Sequence, residues 1–107
     1  MKLSVLERIL LLGILPKEGN ILTVRLIRTL REKIEFKEEE IKLFEIKTVS
    51  STTGDALITW NKKAETEVEI DITTLEKTII VKQLKDVNDK KKLTPDHISL
   101  YEKFLEQ

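Results

Sequence analysis

The sequence contains no cysteine and few residues that interrupt regular structure. Without cysteine the chain has no disulfide, no thiolate ligand for a metal and no cysteine nucleophile, and a cytosolic location is the natural expectation. Only three glycines and two prolines occur among 107 residues, too few for a collagen-like, low-complexity or turn-rich all-β protein. We therefore expect long elements joined by few tight turns.

The sequence also lacks a net charge and a long hydrophobic run. Nineteen Lys and Arg residues balance nineteen Asp and Glu residues, whereas proteins dedicated to nucleic acids or acidic membranes carry a basic excess. The longest strongly apolar run, Ile9 to Leu15, has seven residues, against the roughly 20 that cross a bilayer. No small-residue cleavage site follows it. We expect no membrane partner and predict a cytoplasmic protein.

What the chain does contain is enough apolar material for one core. Leu, Ile, Val and Phe make up 38 of its 107 residues, well above the roughly 20% below which a chain stays disordered. The length is that of one compact domain. We therefore predict a single domain that spans residues 1–107.

Helix-start signals predict about five helices. Ser4 and Thr73 are each followed three residues later by Glu, which is the spacing of a capping box. Asn20 is suited to cap a second helix, and Thr94-Pro95 is a start signal for the last one. The predicted helices begin at Ser4, Ile21, Glu38, Leu75 and Thr94 and end near Leu15, Ile34, Ile46, Val87 and the end of the chain.

Two segments between the third and fourth helices have the patterns of strands. Residues 56–60 are mostly apolar, and in residues 66–72 a β-branched Thr, Val or Ile alternates strictly with an acidic side chain, as in a half-buried strand. Residues 61–64 connect them. The sequence therefore predicts an α+β fold with two helix-loop-helix units and a central two-stranded β-hairpin.

Residues 21–46 and 75–105 resemble each other. Each contains an amphipathic helix followed by a second helix, and residues 36–45 and 93–102 carry apolar side chains at the same four places. One interpretation is an internal duplication, and the other is that any two capped amphipathic helices look alike. Both interpretations lead to the same fold class.

Five segments of the chain form a recognisable combination. They are the Leu-rich first helix, the turn Leu15-Pro16-Lys17-Glu18-Gly19, the helix from Arg25 to Glu32, the corner Trp60-Asn61 with Ala64, and the closing segment from Leu93-Thr94 to Tyr101-Glu102-Lys103-Phe104. Together they resemble small proteins of unknown function that bacteriophages and prophages encode. The resemblance covers most of the chain and implies expression in a bacterial cytoplasm. It transfers no functional residue, although inhibition of a bacterial defence system would suit such a protein.

The sequence contains few residues that are suited to catalysis. His97 is the single histidine, and its place three residues after Thr94 suits the first turn of a helix as well as it suits a general base. No serine lies in a Gly-x-Ser-x-Gly turn, and the three glycines are isolated from one another, so neither a nucleophile elbow nor a phosphate-binding loop is present. We expect no enzymatic activity, no metal and no cofactor.

A basic helix is the strongest candidate for phosphate or nucleic-acid binding. The candidate residues are Arg25, Arg28, Arg31 and Lys33, with Lys17 nearby. The alternative is that Arg28 pairs with Glu32, and Arg31 with Glu35, on the helix surface. A second cluster, residues 90–92, has the composition of a solvated loop.

Three apolar residues are candidates for contact with a partner protein. Trp60 is at the end of the predicted strand 56–60, next to the turn that follows, and Trp is enriched at interface hot spots. Its alternative role is to close one end of the core. Leu11 and Ile14 belong to a first helix that is apolar on all sides, so another chain is one source of cover for it.

The residues 65, 67, 69 and 71 form an acidic ladder whose spacing along a strand is close to the phosphate repeat of a nucleic acid. The alternative is an edge strand that is protected by its charges.

We therefore hypothesise a non-enzymatic phage accessory protein that binds proteins, both itself in a homodimer and a host or phage factor. The alternative is a nucleic-acid or nucleotide binder that uses Arg25, Arg28 and Arg31.

Overall fold

A computed structural model describes residues 1–50, 56–63 and 66–106 of the chain. The chain divides into two compact units. The larger unit comprises Met1–Glu35 and Val68–Gln107, and the smaller unit comprises Phe36–Glu67. The prediction of a single domain stays a prediction, as does the internal repeat, whose first copy is shared between the two units.

The described residues contain five α-helices and four short strands. The helices are α1 (Val5–Ile14), α2 (Ile21–Ile34), α3 (Glu38–Leu43), α4 (Thr74–Asp89) and α5 (Ile98–Leu105), with a 3₁₀ turn at Pro95–His97 before α5. The strands are β1 (Lys2–Leu3), β2 (Lys47–Ser50), β3 (Ala56–Thr59) and β4 (Val68–Glu69). The predicted α+β class with about five helices is confirmed.

The strands pair differently from the prediction. β3 pairs antiparallel with β2, so that Thr48 lies opposite Ile58, whereas β4 pairs with β1, so that Leu3 lies opposite Val68. A two-stranded sheet is therefore present in the smaller unit, but the second predicted strand belongs to the larger unit. The serines and threonines after Val49 suggested a loop, although Thr48 and Val49 are β-branched and suit a strand.

Two capping boxes start the long helices α1 and α4, as the spacing predicts. The Ser4 hydroxyl accepts a hydrogen bond from the Glu7 backbone N–H at 3.2 Å, and the Glu7 carboxylate accepts one from the Ser4 N–H at 2.9 Å. Thr73 and Glu76 repeat the arrangement at 3.2 and 3.0 Å. Each box satisfies two backbone donors that would otherwise lack a partner inside the helix.

Helix α1 lies in the core of the larger unit, where it packs against α2, α4 and α5. Ten buried side chains form this core: Leu3, Leu11, Leu15, Leu30, Ile34, Ile70, Ile80, Leu84, Leu100 and Phe104. The prediction that α1 is buried on most sides is confirmed, and the larger unit itself supplies the cover.

Two predicted buried faces are shifted. The 3- and 4-residue spacing of Val24, Ile27, Leu30 and Ile34 predicts that they share one buried stripe of α2, yet the Val24 side chain is 42% exposed. On α5 the spacing predicts an apolar face of Ile98, Tyr101 and Leu105, with Leu100 and Phe104 beside it. In the structure Leu100 and Phe104 are buried, whereas Ile98 is 57% exposed. Helix α5 carries two apolar stripes, and the buried one contains Phe104, which removes the larger apolar area from water.

Two helices end on a residue with positive φ that is not glycine. After α3, Glu45 has φ 53°, and after α4, Lys91 has φ 57°. In each case the next residue donates its N–H back to the helix, from Ile46 to Ile41 and from Lys92 to Val87, both at 3.0 Å. These are the hydrogen bonds of a Schellman motif. Because no glycine marks the position, the sequence prediction extended α3 to Ile46.

Candidate binding surface on helix α2

The three arginines predicted to bind phosphate lie on α2 without carboxylate partners. Arg25 and Arg28 are exposed, and Arg31 is half-buried. Within the described residues, none of the three forms an ion pair. The alternative prediction, that Arg28 pairs with Glu32 and Arg31 with Glu35, is therefore wrong for this structure. Such exposed pairs contribute only about 0.2–0.5 kcal/mol each, so their absence costs the folded protein little.

A groove of about 470 Å³ is lined by two of these arginines, Arg28 and Arg31. Its lining residues are Pro16, Lys17, Val24, Ile27, Arg28, Arg31, Glu32 and Glu35. The groove therefore combines apolar side chains with three cations and two carboxylates. A face of this composition fits a partner that itself carries charges of both signs.

The first turn of α2 adds exposed apolar surface. Ile21 and Leu22 are 66% and 64% exposed, although large aliphatic side chains are favoured inside proteins. Asn20 begins the helix as predicted, because its side chain accepts the Thr23 N–H at 2.9 Å. We use the name outer face of α2 for the residues Ile21, Val24, Arg25, Arg28, Arg31, Glu32 and Glu35, which share one side of the helix at its 3.6-residue period.

Lys33, the fourth predicted phosphate residue, is not part of this face. Its Nζ lies 2.8 Å from Oε1 of the buried Glu76 on α4. Burial by itself raises the pKa of Glu76, but the Lys33 ammonium and the Thr73 backbone and hydroxyl hydrogen bonds outweigh it and hold the pKa below its ordinary value. The role of Lys33 in this structure is to join α2 to α4.

A matching buried pair joins α1 to α5. Lys103 Nζ lies 2.7 Å from Oε1 of Glu7 and also donates to the Lys2 carbonyl at 2.8 Å. Burial raises the pKa of Glu7, whereas Lys103 and the Ser4 N–H lower it, and the net result is a pKa below the ordinary value. Glu7 and Glu76 thus each combine a helix cap with an ion pair to another helix.

Arg8 was missed by the sequence analysis, although it fixes the position of α2. Its side chain is buried, and its Nε and Nη2 donate to the carbonyls of Ile34 at 2.9 Å and Glu35 at 3.1 Å. These carbonyls belong to the C-terminal end of α2, where a cation also suits the helix dipole. The signal in the sequence was a charged residue directly before the apolar run of α1.

The three predicted partner residues do not form one exposed surface. Leu11 is fully buried in the core, so its side chain does not reach a partner in this structure. Ile14 is half-buried and packs against the same core. Trp60 is half-buried in the smaller unit. The exposed apolar side chains of the larger unit lie elsewhere, at Ile21, Leu22, Val24, Leu75 and Ile98.

His97 lines a shallow cavity of about 220 Å³ with two carboxylates, Glu102 and Glu106. Its Nδ1 accepts the Thr94 N–H at 3.0 Å and lies 2.9 Å from the Thr94 hydroxyl. In the neutral ring this arrangement places the proton on Nε2, so the lone pair that a general base needs is already engaged. The geometry is that of a residue that completes the first turn of a helix.

The acidic ladder is not continuous in the structure. Residue 65 lies outside the described residues, and β4 contains only two residues, so Glu67, Glu69 and Asp71 do not share one strand. Glu69 instead accepts a hydrogen bond from the Met1 ammonium at 3.0 Å. Residues 90–92 follow the last residue of α4, and Lys90 pairs with Asp86 of that helix at 3.0 Å.

Comparisons with known proteins found no relative of this chain. No protein-family model, no curated protein and no solved structure matches this chain. Across the ranges 1–50, 56–63 and 66–106, no helix is long and apolar enough to cross a membrane. The same ranges hold no group of three or more His, Asp or Glu side chains placed to bind a metal ion.

Proposed function

We propose that this protein acts by binding another protein through the outer face of α2. The observation that carries the proposal is a set of three arginines without carboxylate partners. Two of them, Arg28 and Arg31, line a groove, and Ile21 and Val24 on the same face are exposed. Arg is enriched among interface hot spots because its planar guanidinium makes several directed hydrogen bonds. A binding role through this face continues the hypothesis of a non-enzymatic accessory protein.

The charge composition of the face favours a protein over a polyphosphate. Glu32 and Glu35 line the same groove as Arg28 and Arg31. The charges of a nucleic-acid backbone are all negative, and two carboxylates in the groove repel them. A protein surface carries both signs and can match both.

The anchoring of α2 supports the same role. Arg8 holds the C-terminal end of the helix, and Lys33 ties its inner side to Glu76. The outer face is therefore presented on a fixed helix, and a fixed surface loses less conformational entropy on binding than a loop does.

Affinity capture with matched charge variants tests this proposal. The wild type, the variant R25E/R28E and the control K82E/K85E, which changes exposed lysines of α4, are used as baits in lysates of bacterial cells. We expect a protein that the wild type and the control retain and that R25E/R28E loses. Equal capture by all three baits contradicts a role for the outer face of α2.

Nucleic-acid binding is the second candidate, and the same three arginines favour it. It predicts that a fluorescently labelled oligonucleotide binds the wild type with an affinity that falls steeply as salt rises. It further predicts that E32K/E35K strengthens this binding, because two repulsive carboxylates are replaced. If anisotropy at low salt shows no binding, this candidate is excluded.

A further inference from the structure

The four exposed charges on the outer face of α2 follow a fixed order along the helix. Arg25 and Arg28 precede the level of Leu30, whereas Glu32 and Glu35 follow it, and all four charged side chains are exposed. At about 1.5 Å of rise per residue, Arg28 and Glu32 lie about 3 Å on either side of this level. Arg25 and Glu35 lie about 7.5 Å on either side of it. Arg31, the fifth charged residue of the face, lies one residue beyond this level, but it is half-buried and at the edge of the face. The sign of the exposed charge therefore reverses about the level of Leu30.

A face with this order is complementary to a copy of itself that runs in the opposite direction. We infer that the partner of the outer face is a second copy of this chain, with the two α2 helices antiparallel about a twofold axis at the level of Leu30. In that arrangement Arg28 of each copy lies level with Glu32 of the other, and Arg25 with Glu35. A twofold interface of this kind uses the same patch twice. The inference rests on the proposed function and names its partner.

The charged side chains of the outer face do not pair with each other within one chain. Arg28 and Glu32 are four residues apart on one helix and within reach of each other, yet no ion pair joins them in the described part of the chain. Their charged groups are therefore available to a second copy. Val24 is on the same face and is 42% exposed. In the dimer it would add apolar contact near each end of the two paired α2 helices.

Charge pairs at an exposed interface give specificity more than strength. We therefore expect a dimer that forms at high protein concentration and weakens as salt screens the four pairs. Light scattering coupled to size exclusion, from about 10 µM to about 1 mM protein, measures this directly. The molar mass of the wild type should rise with concentration from the chain mass of 12.5 kDa toward twice that value.

Charge reversal tests the register. R28E places like charges opposite each other at two of the four positions, and we expect the dimer to weaken by about tenfold or more. R28E/E32R restores both pairs with reversed polarity and should restore the dimer. The control K82E changes an exposed lysine on α4 and should leave the molar mass unchanged at every concentration.

A mixing experiment covers the case in which a single reversal perturbs folding. R25E/R28E and E32R/E35R should each be monomeric alone, because like charges oppose each other at all four positions. An equimolar mixture should form a heterodimer, because all four pairs are then complementary. A mixture that stays monomeric contradicts the inference, as does a wild-type dimer that R28E leaves unchanged.

The outcomes separate this inference from the proposed function. If the wild type is monomeric throughout and R25E/R28E still loses a captured protein, the second copy is excluded as partner and the binding role of the face is retained. If the dimer forms and mixes as described while no other protein is captured, self-association is the whole of the binding. If the reversals change neither molar mass nor capture, both proposals are wrong.

Discussion

The two units of this chain differ in how much apolar surface they remove from water. The larger unit contains all ten residues of the clustered core. In the smaller unit, Phe44 is the one buried residue among those whose burial is described, while Ile41, Leu43 and Ile58 are at least 42% exposed. Two-stranded sheets and units of this size have little stability of their own. The contrast indicates that the folding free energy is concentrated in the larger unit.

The polar contacts show the same contrast. The larger unit holds two buried carboxylates that each close a helix cap and an ion pair, Glu7 with Lys103 and Glu76 with Lys33. The ion pair described within the smaller unit, Lys42 with Glu38, is long at 3.7 Å and exposed on both sides. Exposed pairs contribute about 0–1 kcal/mol, whereas breaking a buried pair costs about 3–5 kcal/mol. Helix connections are therefore fixed more firmly in the larger unit.

The largest expected effect is a cavity in the larger core. Leu30→Ala removes a fully buried side chain and should lower the free energy of unfolding by about 3 kcal/mol. Leu43→Ala, at a side chain that is 63% exposed, should lower it by less than about 0.5 kcal/mol. Urea denaturation followed by circular dichroism measures both. Equal losses for the two variants contradict the contrast between the units.

Removal of a buried carboxylate should have the next largest effect. Glu76→Ala removes the carboxylate that accepts the Thr73 N–H in the capping box of α4 and leaves Lys33 without its partner, and we expect a loss of about 2–3 kcal/mol. Glu18→Ala, at an exposed position in the connection before α2, serves as the control and should change stability by less than about 0.5 kcal/mol. The same urea titration compares them, and a Glu76 variant as stable as the control contradicts the account.

Acid should destabilise the protein through the same two glutamates. The pKa of Glu7 and of Glu76 is lower in the folded protein than in the unfolded chain. Their contribution to stability is therefore complete above the unfolded value of about 4.3 and is lost as pH falls through the folded values. The urea midpoint of the wild type should fall below about pH 5, and that of E7Q/E76Q should fall less. If the urea midpoints of the wild type and of E7Q/E76Q fall in parallel as the pH is lowered, Glu7 and Glu76 are not the cause of the acid destabilisation.

The smallest expected effect compares the two helix ends with positive φ. Glu45→Gly in the smaller unit and Lys91→Gly in the larger unit each remove the cost of a side chain in the left-handed conformation. Each should change local stability in the favourable direction by about 0.5–1 kcal/mol. Lys91→Gly should raise the urea midpoint of global unfolding, whereas Glu45→Gly should mainly slow amide exchange in α3. A lower midpoint for Lys91→Gly contradicts the conformation assigned to this residue.

The elements with strong local signals were predictable from sequence. The starts of α1, α2 and α4 depend on side chains that bond to backbone three residues away, at Ser4, Asn20 and Thr73. Such contacts are encoded within one turn, so their spacing is sufficient to predict them. Three of the five helices follow from these starts, and the other two follow from the predicted starts at Glu38 and at Thr94-Pro95.

The features that were not predictable depend on distant parts of the chain or lack a local signal. The pairing of β1 with β4 joins residues 2–3 to residues 68–69, and a two-residue strand has no periodicity to detect. The end of α3 depends on Glu45 in a conformation that usually requires glycine. Of the candidate binding residues, Arg25, Arg28 and Arg31 lie on one helix as expected. Lys33 instead pairs with Glu76. This ion pair joins two helices, and the spacing of residues within one helix does not predict such a contact.

The central claim is that the outer face of α2 is a binding surface that recognises its own charge order. Amide chemical shifts of the isotope-labelled wild type, recorded from low to high protein concentration, test it residue by residue. We expect concentration-dependent shifts that cluster at residues 21–35 and disappear in R25E/R28E. Shifts that are absent from α2, or that cluster on another element and persist in that variant, would contradict the claim.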